Sequence, residues 1–210
     1  MLNRLANTFK RSMFIQTHAT PNPNALKFTP SLQLIPKNVP TVEVSNIKDA
    51  LLKSDLAFKL LSIDDKRISS VLLGSDFITV VKTPQADDWS ILKPQIFSVL
   101  TEHLAMGQPA LKADYIQKVA ETDPLDEDAE MSEYDEIVML IKELIQTRIR
   151  PAILEDGGDV VYMGFDLESG TVTLKLIGAC KSCGSSEVTL KNGIEEMLRY
   201  YIDEVKLVEQ

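Results

Sequence analysis

The spacing of apolar side chains shifts along the chain, and each shift marks an element. From Ile15 on, Thr20-Pro21-Asn22-Pro23-Asn24, a run of turn formers, separates a short extended piece from Leu26-Lys27-Phe28. Asn46 is placed to cap a helix reaching about Leu61, and Ile68–Leu73 and Phe77–Lys82 read as paired strands around Gly74-Ser75-Asp76. Beyond Asp88, residues Leu92, Ile96, Val99 and Leu100 form a stripe at helical spacing, with Pro94 early in it. His103 continues that stripe. These elements predict an α/β sandwich over residues 14–106.

A second unit follows over 132–210. Ser132, with Asp135 three residues on, predicts a capped helix start. Tyr134, Ile137, Val138, Ile141, Leu144, Ile145 and Ile149 then make a broad apolar face, and Gly157-Gly158 stops the helix. Val160–Phe165 and Thr171–Ile177 predict a hairpin around Glu168-Ser169-Gly170, because Val172, Leu174 and Leu176 alternate with Thr171, Thr173 and Lys175. Gly178 to Gly184 reads as a loop. Ser185 or Ser186 is expected to cap a last helix with Leu190, Ile194, Met197, Leu198 and Tyr201 on one face, and Glu204–Val208 can add an edge strand. The order is α-β-β-α-β. The fold class is therefore α+β, two small α/β domains joined by residues 107–131.

Charge sharpens that division. Nine Asp and Glu and no Lys or Arg lie between Glu121 and Glu136. Such runs stay solvated, so 107–131 is predicted as an extended acidic linker rather than a site for a basic partner or a cation. The net charge of −9 argues against nucleic acid as a partner, since affinity for phosphate comes from Lys and Arg. No apolar run approaches the length of a membrane span.

The other end is basic. Residues 1–13 hold two Arg, one Lys and no acid, and no acid precedes Glu43. Leu2, Leu5, Phe9 and Met13 recur at helical spacing, with Arg4 and Arg11 on the opposite side. That pattern predicts a mitochondrial transit peptide and a matrix location, a bacterial cytoplasmic protein being the other reading.

The chain has two cysteines, Cys180 and Cys183, in Gly178-Ala179-Cys180-Lys181-Ser182-Cys183-Gly184. A single pair makes no disulfide scaffold and points to a reducing compartment and a chemical role. A two-residue spacer lets both sulfurs converge on one metal, and small neighbours let backbone N–H groups reach them. Lys181 and the start of the next helix favour thiolate. A cluster or a thiolate zinc site normally takes four cysteines, so a second chain or external thiols must complete it. Three readings follow from the spacing: an iron–sulfur site, a dithiol–disulfide oxidoreductase, and a zinc bridge that merely dimerises the chain. Against the oxidoreductase, the only Trp is Trp89, far from the pair, and no proline follows Pro151. His18 and His103 stand alone and are assigned to no site.

These residues also carry a resemblance. Glu155-Asp156-Gly157-Gly158-Asp159, the cysteine loop and Thr189-Leu190-Lys191-Asn192-Gly193-Ile194 closely resemble the C-terminal NifU-like domain. Met13-Phe14-Ile15-Gln16-Thr17, Thr20–Phe28, Asp76-Phe77-Ile78-Thr79-Val80 and Trp89 through Pro94 resemble the Nfu N-terminal domain. The resemblance implies a mitochondrial-type Nfu protein, a non-enzymatic scaffold or carrier. It implies a 4Fe–4S cluster bridging two subunits of a homodimer, with Cys180 and Cys183 as the ligands of each. It implies upstream cluster assembly proteins as donors and apo iron–sulfur proteins as acceptors, among them lipoyl synthase and respiratory or aconitase-type enzymes. One departure stands out: the family commonly has Pro after the second cysteine, and this chain has Gly184, which restores an N–H and loosens the loop.

Overall fold

A computed structural model describes residues 14–63, 67–86, 88–121, 132–182 and 184–210. The basic segment 1–13, residues 122–131 of the acidic run and Cys183 lie outside the described residues. No helix among the described residues is long and apolar enough to cross a membrane.

Strands β1 (Ile15–Ala19), β2 (Ala25–Pro30), β3 (Val42–Val44), β4 (Ile68–Leu73) and β5 (Ile78–Lys82) form an antiparallel sheet in the order β1-β2-β5-β4-β3. Helices α1 (Ile47–Lys53), α2 (Asp55–Leu61) and α3 (Trp89–Ala105) cover one face. Phe28, Val71, Leu73, Ile78 and Val80 are buried there with Leu60, Leu92 and Ile96. The single helix expected from Asn46 to Leu61 is two. Ser54 adopts an extended backbone, closes α1 through its N–H to Ala50 O, and caps α2 by accepting from Ala57 N at 3.0 Å. Its hydroxyl also donates to Ala110 O. Serine competes for backbone groups in this way, which disfavours it inside helices and favours it at their starts.

Ala110 and Leu111 are themselves buried in this core, and α4 (Ala113–Glu121) follows. The segment 107–131 is therefore not an extended tether throughout. Its first part packs and turns helical because Ala110, Leu111, Tyr115 and Ile116 offer apolar surface ahead of the acidic run.

His103 lies 1% exposed with Nε2 3.1 Å from Pro109 O, and Nδ1 has no hydrogen-bond partner among the described residues. Burial pushes its pKa down, against the opposing pull of the Pro109 carbonyl. The fold thus favours the neutral ring, while the unfolded chain takes up a proton below about pH 6.5. This part of the stability is complete above that pH and is lost as pH falls toward the lowered value. The urea midpoint should drop between pH 7.5 and 5.5, and His103→Gln should flatten that drop; equal slopes in both proteins would refute the assignment.

In the second domain, α5 (Glu133–Leu144) begins with the predicted box: Ser132 Oγ accepts from Asp135 N at 3.2 Å and the Asp135 carboxylate accepts from Ser132 N at 3.1 Å. Ile137, Ile141, Ile145, Ile149 and Ile153 all reach the core, a step of four residues each time. An ideal α-helix drifts by about 40° at each such step. The chain corrects this with a π-helical turn, Ile145–Ile149, before α6 (Arg150–Glu155). Pro151, lacking an N–H and crowding the carbonyl four residues back, is the local cause. Then β6 (Gly158–Asp166) and β7 (Thr171–Gly178) pair antiparallel, and β8 (Leu207–Glu209) adds to β7 in parallel. Helix α7 (Gly184–Tyr201) packs Ile194 and Leu198 onto the sheet. It starts at Gly184, ahead of Ser185 and Ser186, so neither serine precedes it as a cap.

The first sheet's other face carries Ala25, Lys27, Leu72, Thr79 and Val81, and the second domain sits on it. Ala25 and Val81 pack on Ala179, and Leu72 and Phe77 on Ile177. Double coverage explains why Val71-Leu72-Leu73 and Ile78-Thr79-Val80-Val81 do not alternate: both faces are buried.

Candidate functional site around Cys180

β7 ends at Gly178, and the chain turns through a 3-10 stretch, Ala179–Ser182, that carries Cys180. Cys180 is half-buried and packs on the second core. Cys183 lies outside the described residues, so the structure places one of the two candidate ligands. Among the described residues, no group of three or more His, Cys, Asp or Glu is placed to hold a metal ion.

Glycines shape the turn. Gly178 has φ +69, and a Cβ there would lie 2.6 Å from Leu72 Cδ2 and 2.9 Å from Gly157 O. Opposite it in the hairpin register is Gly158. A Cβ on Gly158 would stand 2.3 Å from Cys180 Sγ and 3.0 Å from Ile177 O. The sulfur occupies the space that a side chain at 158 would need. That is the physical content of the double glycine: it stops α6 and also seats the thiol.

Asp159, next along β6, is 1% exposed. Arg150 grips it in a two-point fork, Nε to Oδ1 and Nη2 to Oδ2, both at 2.8 Å. Val160 N donates to Oδ1 at 2.8 Å, and the Thr41 hydroxyl of the first domain donates to Oδ2. The bonds to Asp159 hold Arg150 above its ordinary pKa, burial notwithstanding. The π-helical turn is what delivers Arg150 to this position, since it resets the phase of the helix just before it.

The first domain also reaches the cysteine turn itself. Asn22, 2% exposed, donates through Nδ2 to Ala179 O at 2.9 Å. Glu43 accepts from Gly178 N at 3.2 Å and from Lys181 Nζ at 3.2 Å. The cation that the sequence assigns to the sulfurs thus lies on a carboxylate of the other domain. Lys27 Nζ donates to Leu154 O at 2.9 Å at the end of α6, and burial lowers its pKa against the pull of Asp76, Glu155 and Asp156. Beside Cys180 is a cavity of about 470 Å³, walled by Pro21 and Asn22 on one side and by Ile149, Ile153 and Ile194 on the other.

Asn22, Glu43, Arg150 and Asp159 are not distinguished by sequence reasoning. Asn22 sits among turn formers that explain it locally. Glu43, flanked by Val42 and Val44, reads as the solvent side of a strand. Asp159 follows the double glycine, the one local hint of a role.

Comparison with known proteins adds the family. The model for the NifU-like domain matches residues 141–209, and that for the scaffold protein Nfu/NifU N terminal matches 15–107. A NifU-like protein of Schizosaccharomyces pombe is 46% identical over 200 residues, which cover 95% of this chain and 73% of that protein. The chain belongs to the NifU-like family. Two other NifU-like relatives are each 45% identical: the mitochondrial NFU1 iron-sulfur cluster scaffold homolog of Drosophila erecta, over 99% of this chain and 68% of that protein, and mitochondrial NifU-like protein 4 of Arabidopsis thaliana, over 96% and 67%. Both matched spans of the NifU-like chain contribute residues to the turn at Cys180.

Proposed function

We propose that this NifU-like chain is a non-enzymatic iron–sulfur cluster scaffold and carrier in the mitochondrial matrix, holding a 4Fe–4S cluster as cargo between two copies through Cys180 and Cys183. The observation that carries the reading is the pair of cysteines three apart, the only two in the sequence, with Cys180 on a turn where Gly158 leaves its sulfur the space a side chain would fill. One relative is named an iron-sulfur cluster scaffold homolog and both are named mitochondrial, which supports the cargo and the compartment. Two thiolates per chain leave a cubane half-liganded, which is the reason for a second copy. Such a site suits release. Incoming thiolates of an apo-protein replace Cys180 and Cys183 on iron one for one, each Fe–S bond broken being matched by one formed, with no net redox change. Lipoyl synthase and respiratory or aconitase-type enzymes are the acceptors proposed, and cluster assembly proteins the donors.

Anaerobic reconstitution with iron and sulfide, followed by sizing and metal analysis, tests this. The expected product is one 4Fe–4S cluster per two chains, lost when either Cys180→Ala or Cys183→Ala is introduced. A monomer that keeps a full cluster overturns the bridged site. Metal-independent reductase activity through a reversible Cys180–Cys183 disulfide would favour the oxidoreductase instead.

A further inference from the structure

The second domain holds both cysteines, yet the backbone around Cys180 is fixed from the first. Asn22 binds the carbonyl of Ala179, the residue just before Cys180, and Glu43 binds the N–H of Gly178 and the ammonium of Lys181, the residue just after. Two side chains of one domain thus bracket a four-residue stretch of the other. The bonds are not incidental surface contacts. The Asn22 side chain is buried, its Oδ1 accepts from Asn24 N at 2.9 Å, and the Glu43 side chain is 11% exposed. Buried polar groups of this kind are costly unless bonded, so the docked arrangement is specified and not merely permitted. Apolar contacts seat it: Ala25 and Val81 on Ala179, Leu72 and Phe77 on Ile177. Pro21 and Asn22 also wall the cavity at Cys180, so the docked domain occupies one side of the approach to the sulfur.

We propose that the first domain is a clamp on the cysteine turn, with Asn22 and Glu43 as its positioning residues, and that its docking sets how readily Cys180 is reached by other molecules. As to cluster exchange, this rests on the reading of Cys180 as a ligand. The clamp itself does not, because it is visible in the apo chain. Both domains belong to one chain, so docking is intramolecular and small changes in the clamp bonds shift the docked fraction directly.

Asn22→Asp and Glu43→Gln in the full chain test the clamp. The first removes the donor to Ala179 O and sets a carboxylate oxygen against it, while keeping the acceptor for Asn24 N–H. The second keeps length and one acceptor but removes the charge facing Lys181. The reduced apo chain is treated with iodoacetamide below its melting transition, and alkylation of Cys180 is followed by peptide mass. Alkylation should run about three- to tenfold faster in each variant, as expected when one buried bond is lost. A bond with a merely structural role would lower the melting temperature and leave the Cys180 rate unchanged. Should Asn22→Asp fail to show a native near-ultraviolet spectrum, Glu43→Gln alone decides. Rates within twofold of the parent in every natively folded variant overturn the clamp.

A second arm follows iron loss from the reconstituted chain to a chelator, expected to accelerate in step with alkylation. A cluster that survives Cys180→Ala defeats the ligand assignment while leaving the alkylation result standing. A cysteine-dependent cluster with unchanged alkylation and chelation defeats the clamp alone.

Discussion

If Cys180 is a ligand as proposed, Gly158→Ala is expected to cost the reconstituted chain its iron while the fold survives. The added methyl lies 2.3 Å from Cys180 Sγ and 3.1 Å from Cys180 Cβ, so the sulfur must leave its seat. The thiol ends a short, rotatable side chain, which lets it swing away cheaply; the nearby Ile177 carbonyl at 3.0 Å gives less. Overpacking of this size costs about 1–3 kcal/mol. In the proposed shared site a misdirected ligand costs far more in function, because both sulfurs of each chain must be aimed at one cluster edge. Disturbing even the groups around metal ligands lowers metal affinity by about 10–100-fold, so iron retained per chain after desalting should fall clearly below the parent's. Thermal unfolding with iron analysis of the same samples separates the two effects. A Gly158→Ala chain that keeps its full iron content would show that Cys180 binds from another rotamer than the one seen.

Asp159→Ala should be the most destabilising single change near the site. Its carboxylate answers the Arg150 fork, the Val160 N–H and the Thr41 hydroxyl, and it is 1% exposed. Removing one partner of a buried ion pair strands the other, at about 3–5 kcal/mol. Replacing both partners should cost less: Arg150→Met with Asp159→Leu removes the stranded charge and fills the space. The expected order in urea midpoint is parent, then double variant, then Asp159→Ala. A double variant as damaged as the sum of its singles would show that the pair is not coupled. Because Thr41 belongs to the first domain, the single variant should also loosen the contact between domains.

Local elements were legible because local rules decide them. The Ser132–Asp135 box, the 171–177 alternation and the strands around Gly74-Ser75-Asp76 depend on residues within a few positions of one another, and the structure contains them. Where a longer-range interaction competes, the local reading falls short. Ser54 breaks a predicted helix because Ala110, far along the chain, takes its hydroxyl. Residues 110–121 pack and coil although the acidic run beyond them suggests a tether. The unbroken apolar run Val71-Leu72-Leu73 in β4 was the one local sign that the sheet is covered twice.

The same division holds for the turn at Cys180. The sequence by itself determined the atoms on offer: two cysteines three apart, a count too low for a self-sufficient cluster, and glycines and small residues beside them. Residue types and spacing fix what atoms are available, whatever the fold. Only the tertiary structure decided what surrounds those atoms. It placed Gly158 under the sulfur, turned Lys181 onto Glu43, and brought Asn22 against the Ala179 carbonyl. Asn22 and Ala179 are separated by 157 positions. No local pattern encodes such a pairing, because it exists only once two separately patterned sheets have found each other's apolar faces.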